Sequence, residues 1–383
     1  MTAIWKTIAI LCFFAAGGLL TAIAANAPAI SIELPPPPFS QAVALPGQLK
    51  KYAAPAMSLT DIPPTPAEAA GIVPRLTVKR PGGVAHIMPT VAVTAARKAA
   101  AVKQGVQIAS STVLYHGGQI MYPSIQIYTI FWRPPQLQDG SGTAFSANYV
   151  TINYYHAAFI GGHGIQNIAT QYYQTIGGTT TYVQNAGYAA GYYLDTSSFP
   201  ASGCTDSATP GDCITDAQIQ AEIARVMSIN GWTGGLNKIF ILFTAWREGS
   251  CFDSSSTSCA YTQYCAYHSY FMQGSTPVIY ANQPYANLSV CLASGQTLPN
   301  GSDGDAAAST ATHEIIESIT DPLLNAWFDS SGNEVADLCN FVFGTNTWQG
   351  PSAAGNQMWN GVVFEVQQIY DNNSGGCVSA GPQ

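Results

Sequence analysis

The sequence predicts one mixed domain, α/β or α+β, over residues 111–383, with a mixed central sheet, a long helix bearing one histidine and two glutamates, and stabilisation by disulfides. Three observations lead there. β-branched and aromatic runs flank an amphipathic helical pattern. Eight cysteines remain once an N-terminal leader is set aside. An alanine- and threonine-rich stretch, "DAAASTATHEIIESIT", runs from Asp305 to Thr320 and stops just before Pro322.

The leader, "MTAIWKTIAILCFFAAGGLLTAIAANA", joins one lysine to an apolar run too short for a comfortable membrane span, followed by small residues. That pattern reads as a secretory signal peptide over residues 1–24. Cleavage after Ala24 avoids leaving Pro28 at the new terminus and removes Cys12. Nothing later is apolar for long enough to cross a bilayer, so the mature protein is expected to be exported, extracellular or periplasmic, without a membrane span. Its cysteines are Cys204, Cys213, Cys251, Cys259, Cys265, Cys291, Cys339 and Cys377, and an even set outside the cytosol reads as disulfides. Local closure suggests Cys204 with Cys213, and Cys339 with Cys377 would tie down the C-terminus. The paired CxxC spacings of a zinc ribbon are absent.

Residues 25–110 carry "ELPPPPFS", "DIPPTPAEAAGIVPR" and "VKRPGG", where proline removes backbone donors and large apolar side chains are few. The segment is expected to be a Pro-rich, basic, largely disordered pro-region or linker, with one basic helix in "VAVTAARKAAAVKQGV". Residues 1–110 hold 9 Lys/Arg and 3 Asp/Glu, and residues 111–383 hold 4 and 18. The balance is thus +6 before residue 111 and −14 after it. A basic segment facing an acidic domain suggests docking over an acidic cleft, with removal on maturation; an export-competent spacer is the equal alternative. No Lys or Arg follows Arg247, so a nucleic-acid partner is excluded.

Within the domain, "SIQIYTIFW", Ser124 to Trp132, and "KIFILFTAW", Lys238 to Trp246, read as buried strands. Between them "TDAQIQAEIARVMSING" has capping-box spacing at Thr215 and Gln218, an apolar stripe of Ile219, Ile223 and Val226, and a closing Gly231. Further strands are expected around Val278 and Val363. In the last helix Asp305 is placed to cap free N–H groups.

Positions four apart on a helix share a face, so His313 and Glu317 can address one ion while Glu314 reaches a water beside it. This is the logic of the HExxH metalloproteases with glutamate replacing the second histidine, an HExxE pattern. "NEVADLC" then offers Glu334 and Asp337, which face the same way if that segment is helical. Eight acids between Asp303 and Asp337 share a window without Lys or Arg. If they converge, raised pKa values or a cation must relieve their repulsion. His268, among tyrosines between Cys265 and Cys291, is a candidate ligand or transition-state donor; His116, His156 and His163 read as turn, helix-face and loop residues.

"NGSDGDAAASTATHEIIESITDPLLNAWFDSSGNEVADLC" resembles the extracellular EXORDIUM-like (phosphate-induced protein) family, through Asp305, His313, Glu314, Glu317, Asp321, Pro322, Asn325, Ala326, Trp327, Glu334, Asp337 and Cys339. The similarity extends to Cys265 and His268 in "CAYHSYF" and to "YHGGQIMYPSIQIYTIFW", covering residues 113–380. It implies a secreted, zincin-like domain without a securely assigned reaction. The Pro-rich segment lies outside it.

The leading expectation is a secreted zincin-like metallohydrolase, most plausibly a peptidase acting on a peptide or cell-wall substrate. His313 and Glu317 would bind Zn²⁺, Glu334 or Asp337 would complete the shell, and Glu314 would be the general base, with His268 as a second catalytic candidate. Ca²⁺ is an alternative or additional ion, given the oxygen donors of "DSSGNEVAD", although the EF-hand spacing is missing. The alternative is a non-catalytic extracellular binding or signalling protein with a structural ion. A glycosidase, the third reading, needs two acids across an open groove.

Overall fold

The structure, a computed structural model, describes residues 53–80, 83–103 and 112–381. The expected signal peptide, residues 1–24, lies outside the described residues. Seven strands form the central sheet: β1 (Thr77–Arg80), β2 (Gly83–Pro89), β3 (Ile125–Trp132), β4 (Gly187–Asp195), β5 (Lys238–Thr244), β6 (Tyr264–Gln273) and β7 (Thr276–Gln283). Their spatial order is β1-β2-β6-β7-β5-β3-β4. The β7–β5, β5–β3 and β3–β4 pairs are parallel, and the β1–β2, β2–β6 and β6–β7 pairs are antiparallel. The fold is therefore mixed α/β with a large mixed sheet.

The sequence accounts for the parallel half directly. β5 lies between two parallel neighbours and is covered on both faces, which requires an uninterrupted apolar strand; Ile239, Phe240, Ile241, Leu242 and Phe243 are all buried. Each such side chain stabilises the fold by about 1.5–3 kcal/mol on the transfer scale. Four helices matter here: α1 (Val91–Lys103), α2 (Ala147–Phe159), α3 (Asp216–Asn230) and α4 (Gly304–Thr320). α3 has the capping box of Thr215 and Gln218, its Ile219, Ile223 and Val226 are buried, and Gly231 closes it at φ +67°, a left-handed cap that glycine adopts without steric cost.

α4 is unusual in that all 17 of its residues are buried. Alanine and glycine let it approach its neighbours: a Cβ on Gly304 would meet the Tyr149 backbone of α2 at 2.9 Å. His156 of α2 touches Thr312 of α4 at 2.7 Å. Asp305 departs from the sequence expectation. Its carboxylate accepts the backbone N–H groups of Asn300 and Ser302, so it fastens the preceding loop rather than the helix.

The expectation of a largely disordered segment over residues 25–110 does not hold for residues 53–80 and 83–103. β1 and β2 add a hairpin to the sheet edge offered by β6, and α1 follows. The reason is a few well-placed apolar contacts and backbone pairing. Leu59 and Ile62 pack with Leu324 and Phe328, the Leu59 N–H donates to the Leu324 carbonyl at 3.0 Å, and β2 forms its ladder with β6.

Four disulfides join Cys204–Cys213, Cys251–Cys259, Cys265–Cys291 and Cys339–Cys377. The first and last are the pairs that closure arguments favour. No helix among the described residues is long and apolar enough to cross a membrane.

Candidate metal centre

In the β2–β6 ladder His86 stands directly opposite His268. Residues opposite one another in an antiparallel pair project from the same face, and these two rings have centroids 5.9 Å apart. α4 packs against that face of β6. It brings His313, Glu314 and Glu317 up to the two imidazoles, with His313 Nε2 3.1 Å from Glu317 Oε2 as four-residue spacing predicts. Glu314 Oε2 lies 3.2 Å from His268 Nδ1.

Glu334 and Asp337 close the cluster, although not on an α-helix. Their segment is a turn leading into a short 3-10 helix over Asp337–Cys339, which the Cys339–Cys377 disulfide pins. The Glu334 N–H donates to Asp337 Oδ2 at 2.9 Å, and the Asp337 N–H donates to Glu317 Oε1 at 3.1 Å. Asp337 Oδ2 meets His86 Nε2 at 2.6 Å, and Asp337 Oδ1 lies 3.8 Å from His313 Nε2. Glu334 Oε1 is 3.7 Å from His268 Nε2 and 3.9 Å from His86 Nδ1. All six residues singled out in the sequence thus converge, and a seventh, His86, joins them.

Six of the seven are wholly buried, and Asp337 is 7% exposed. Within this dry cluster both oxygens of Glu334, Glu314 Oε1, Glu317 Oε2 and both ring nitrogens of His313 have no hydrogen-bond partner. The 3.1 Å approach of His313 to Glu317 is close in distance but lacks hydrogen-bond geometry. Leaving such atoms bare costs about 1–3 kcal/mol each, more for charged groups. Two like charges 4 Å apart repel by about 4 kcal/mol even at an effective dielectric of 20.

The acid–base properties follow. Burial, and then repulsion from Glu317 and Asp337, push Glu314 well above the usual carboxylate range against the pull of His313. Burial and the charges of Glu317, Asp321 and Asp337 do the same to Glu334. Burial opposes the charge on His313, but Glu317, Glu314 and Asp337 overcome it and carry the imidazole up to about 10. His268 goes the other way, driven well down by burial and by His86 and His313.

The donors fit a cation. His86, Glu317 and Asp337 offer ligand atoms within 4.8 Å of one another, and so do His268, Glu314 and Glu317. Imidazole with carboxylate suits zinc and its transition-metal neighbours. Calcium prefers oxygen alone, and one of its expected donors is used elsewhere: Asp329 accepts the N–H groups of Ser331 and Asn333 and the Asn333 side-chain amide, in a turn of its own.

The remaining histidines have structural places. His116 bridges the Pro55 and Phe328 carbonyls, His163 stacks on Trp359, and burial holds His156 neutral by lowering it to about 3. His86 was not singled out because its segment looks unstructured by composition. The available signal was "TVKRPGGVAHIM", two strand-like runs about a Pro-Gly-Gly turn. Two basic residues of α1 bind away from the cluster, Arg97 to Glu68 at 2.6 Å and Lys98 Nζ to the Asn340 carbonyl at 3.3 Å, and it is the hairpin that touches the cluster.

The chain matches no known family profile, no curated protein and no solved structure.

Proposed function

We propose that the cluster binds a divalent transition-metal cation, zinc by its donor set, and that the protein is an exported zincin-like metallohydrolase, a peptidase. The observation that carries this reading is the set of buried, unpartnered carboxylate and imidazole atoms converging on the HExxE helix. His313 and Glu317 would hold the cation, and Asp337 or Glu334 would complete its shell. When bound, the cation supplies Lewis acidity toward a carbonyl oxygen. With a cation beside it to favour its ionised form, Glu314 would be the proton acceptor, since its Oε2 faces His268 Nδ1 and its Oε1 is without a partner. His268, kept neutral by burial and by His86 and His313, can donate a hydrogen bond toward developing negative charge. The residue pattern of the EXORDIUM-like family supports the zincin-like assignment, and four disulfides are compatible with export.

The test is hydrolysis of a peptide library by the purified protein, with a chelator, with zinc restored, and with Glu314→Gln. The expected result is chelator-sensitive cleavage that zinc restores, and a loss of about 10²–10⁴-fold in kcat in the variant. Cleavage indifferent to both would contradict it.

One observation favours a second reading, a non-catalytic extracellular protein with a structural ion: the cluster is buried under the β1–β2 hairpin. A surface cavity of about 580 Å³ beside that hairpin, lined by Arg75, Thr77 and Gln263 among others, has no cluster residue in its wall. Under this reading chelation destabilises the protein and no peptide is cleaved. Burial also counts against the glycosidase, whose two acids must flank an open groove.

A further inference from the structure

We infer that the cluster is a two-cation centre bridged by Glu317, in which His86 of the N-terminal segment is a ligand. This rests on the metal reading above and extends it from one ion to two; with the second ion in place, His268 and Glu314 would serve as ligands instead of as the hydrogen-bond donor and proton acceptor of the single-ion reading.

Two ligand groups are present, and they share one residue. One comprises His86, Glu317 and Asp337, the other His268, Glu314 and Glu317. The two oxygens of Glu317 have separate environments: Oε2 is 3.1 Å from His313 Nε2 and 3.6 Å from His268 Nδ1, while Oε1 accepts the Asp337 N–H at 3.1 Å. A carboxylate so placed can span two ions about 3.5–4 Å apart, the usual separation in paired sites.

Donor number points the same way. Zinc takes about four ligands, whereas three imidazoles and the carboxylates of Glu314, Glu317, Glu334 and Asp337 meet here, all at least nine-tenths buried. One tetrahedral ion would leave several of them bare, and Glu334 already has neither oxygen partnered. Charge is consistent with a pair: with the imidazoles neutral as ligands and all four carboxylates ionised the site carries −4, so one divalent cation would leave two carboxyls to keep their protons and two cations would leave none, in a site without Lys or Arg among its members. Burying two uncompensated charges is strongly unfavourable.

The second position belongs to the hairpin. His86 Nε2 lies 2.6 Å from Asp337 Oδ2, and a cation held by both would take the place of the proton between them. Thr77 Oγ1, 3.4 Å from His86 Nδ1 on the neighbouring strand, orients the ring as outer partners of ligating histidines do. β1 and β2 are thereby part of a metal site, not only its cover.

The experiment measures zinc by mass spectrometry in the full chain, expressed with zinc and desalted, and repeats it with His86→Ala. Two equivalents are expected in the wild type and one in the variant. One equivalent in the wild type overturns the pair while leaving the hydrolase reading intact; none overturns both. Two equivalents in the variant also overturn the assignment. Should His86→Ala fail to fold, the wild type loaded with Co²⁺ decides the matter by electron paramagnetic resonance. Coupled spins are expected, and two isolated high-spin signals, or one, overturn the bridge.

Discussion

The two faces of strand β6 treat buried acids in opposite ways. On one face Tyr267 donates to Asp216 at 2.8 Å, Tyr280 of β7 donates to the same oxygen, and Gln220 donates to the other at 2.6 Å. On the other face His268, the next residue, looks onto Glu314, Glu317 and Glu334, where oxygens lack any donor. Asp216 is surrounded by hydrogen-bond donors from its own chain. The other face has collected four carboxylates met only by imidazoles and backbone N–H groups, and several of their oxygens have no donor. A buried carboxylate needs donors, a proton or a cation; Asp216 has donors, and on the proposed reading the other face takes a cation.

The largest effect expected from this contrast is a difference in what each face depends on. Asp216→Ala removes the shared acceptor of the Tyr267 and Tyr280 hydroxyls and should cost about 3 kcal/mol, equally with and without chelator. Wild type should lose a comparable or larger amount on chelation alone, about 4 kcal/mol where metal stood at 1,000 times its dissociation constant. Thermal unfolding of both proteins in both conditions checks this. A chelator effect on neither would erase the distinction between the faces.

Glu248 sharpens the comparison with a smaller effect, because it illustrates the remaining solution, a retained proton. Burial raises its carboxyl from 4.5 to about 8, assisted by Asp212 and Asp139 and opposed by the amide of Gln138, which donates at 2.9 Å. The folded protein therefore binds a proton that the unfolded chain releases above 4.5. The associated stabilisation is complete below about pH 4.5 and is lost as pH rises through about 8. Glu248→Gln keeps the shape without the titration. Its stability relative to wild type should rise across that window, by an amount on the order of 2 kcal/mol. Denaturant midpoints at pH 5 and pH 9 measure it, and parallel profiles would refute the retained proton.

Local chemistry made much of this architecture legible. Thr215, Gln218 and Gly231 delimit α3 because caps are short-range devices, and the apolar run Ile239–Phe243 identifies a strand covered on both faces. His313 and Glu317 were readable as a pair because helical spacing alone joins them. Glu334 and Asp337 were readable as acids near a helix, yet their shared direction comes from a backbone hydrogen bond and a disulfide, neither of which spacing reveals. His86 was invisible because its place is set by register: only pairing of β2 with β6 puts it opposite His268. Composition also misled, since proline density around Leu59 and Ile62 hid the few apolar contacts that anchor the segment.

The central claim is that cations supply what the chain withholds on the α4 face of β6. Crystals of protein grown with zinc and measured on both sides of the zinc absorption edge test it most directly. The account predicts anomalous density among His86, His268, His313 and Glu317, within about 2 Å of the ligand atoms. Density-free imidazoles with Glu314, Glu317 and Glu334 hydrogen-bonded to one another as protonated acids would contradict it.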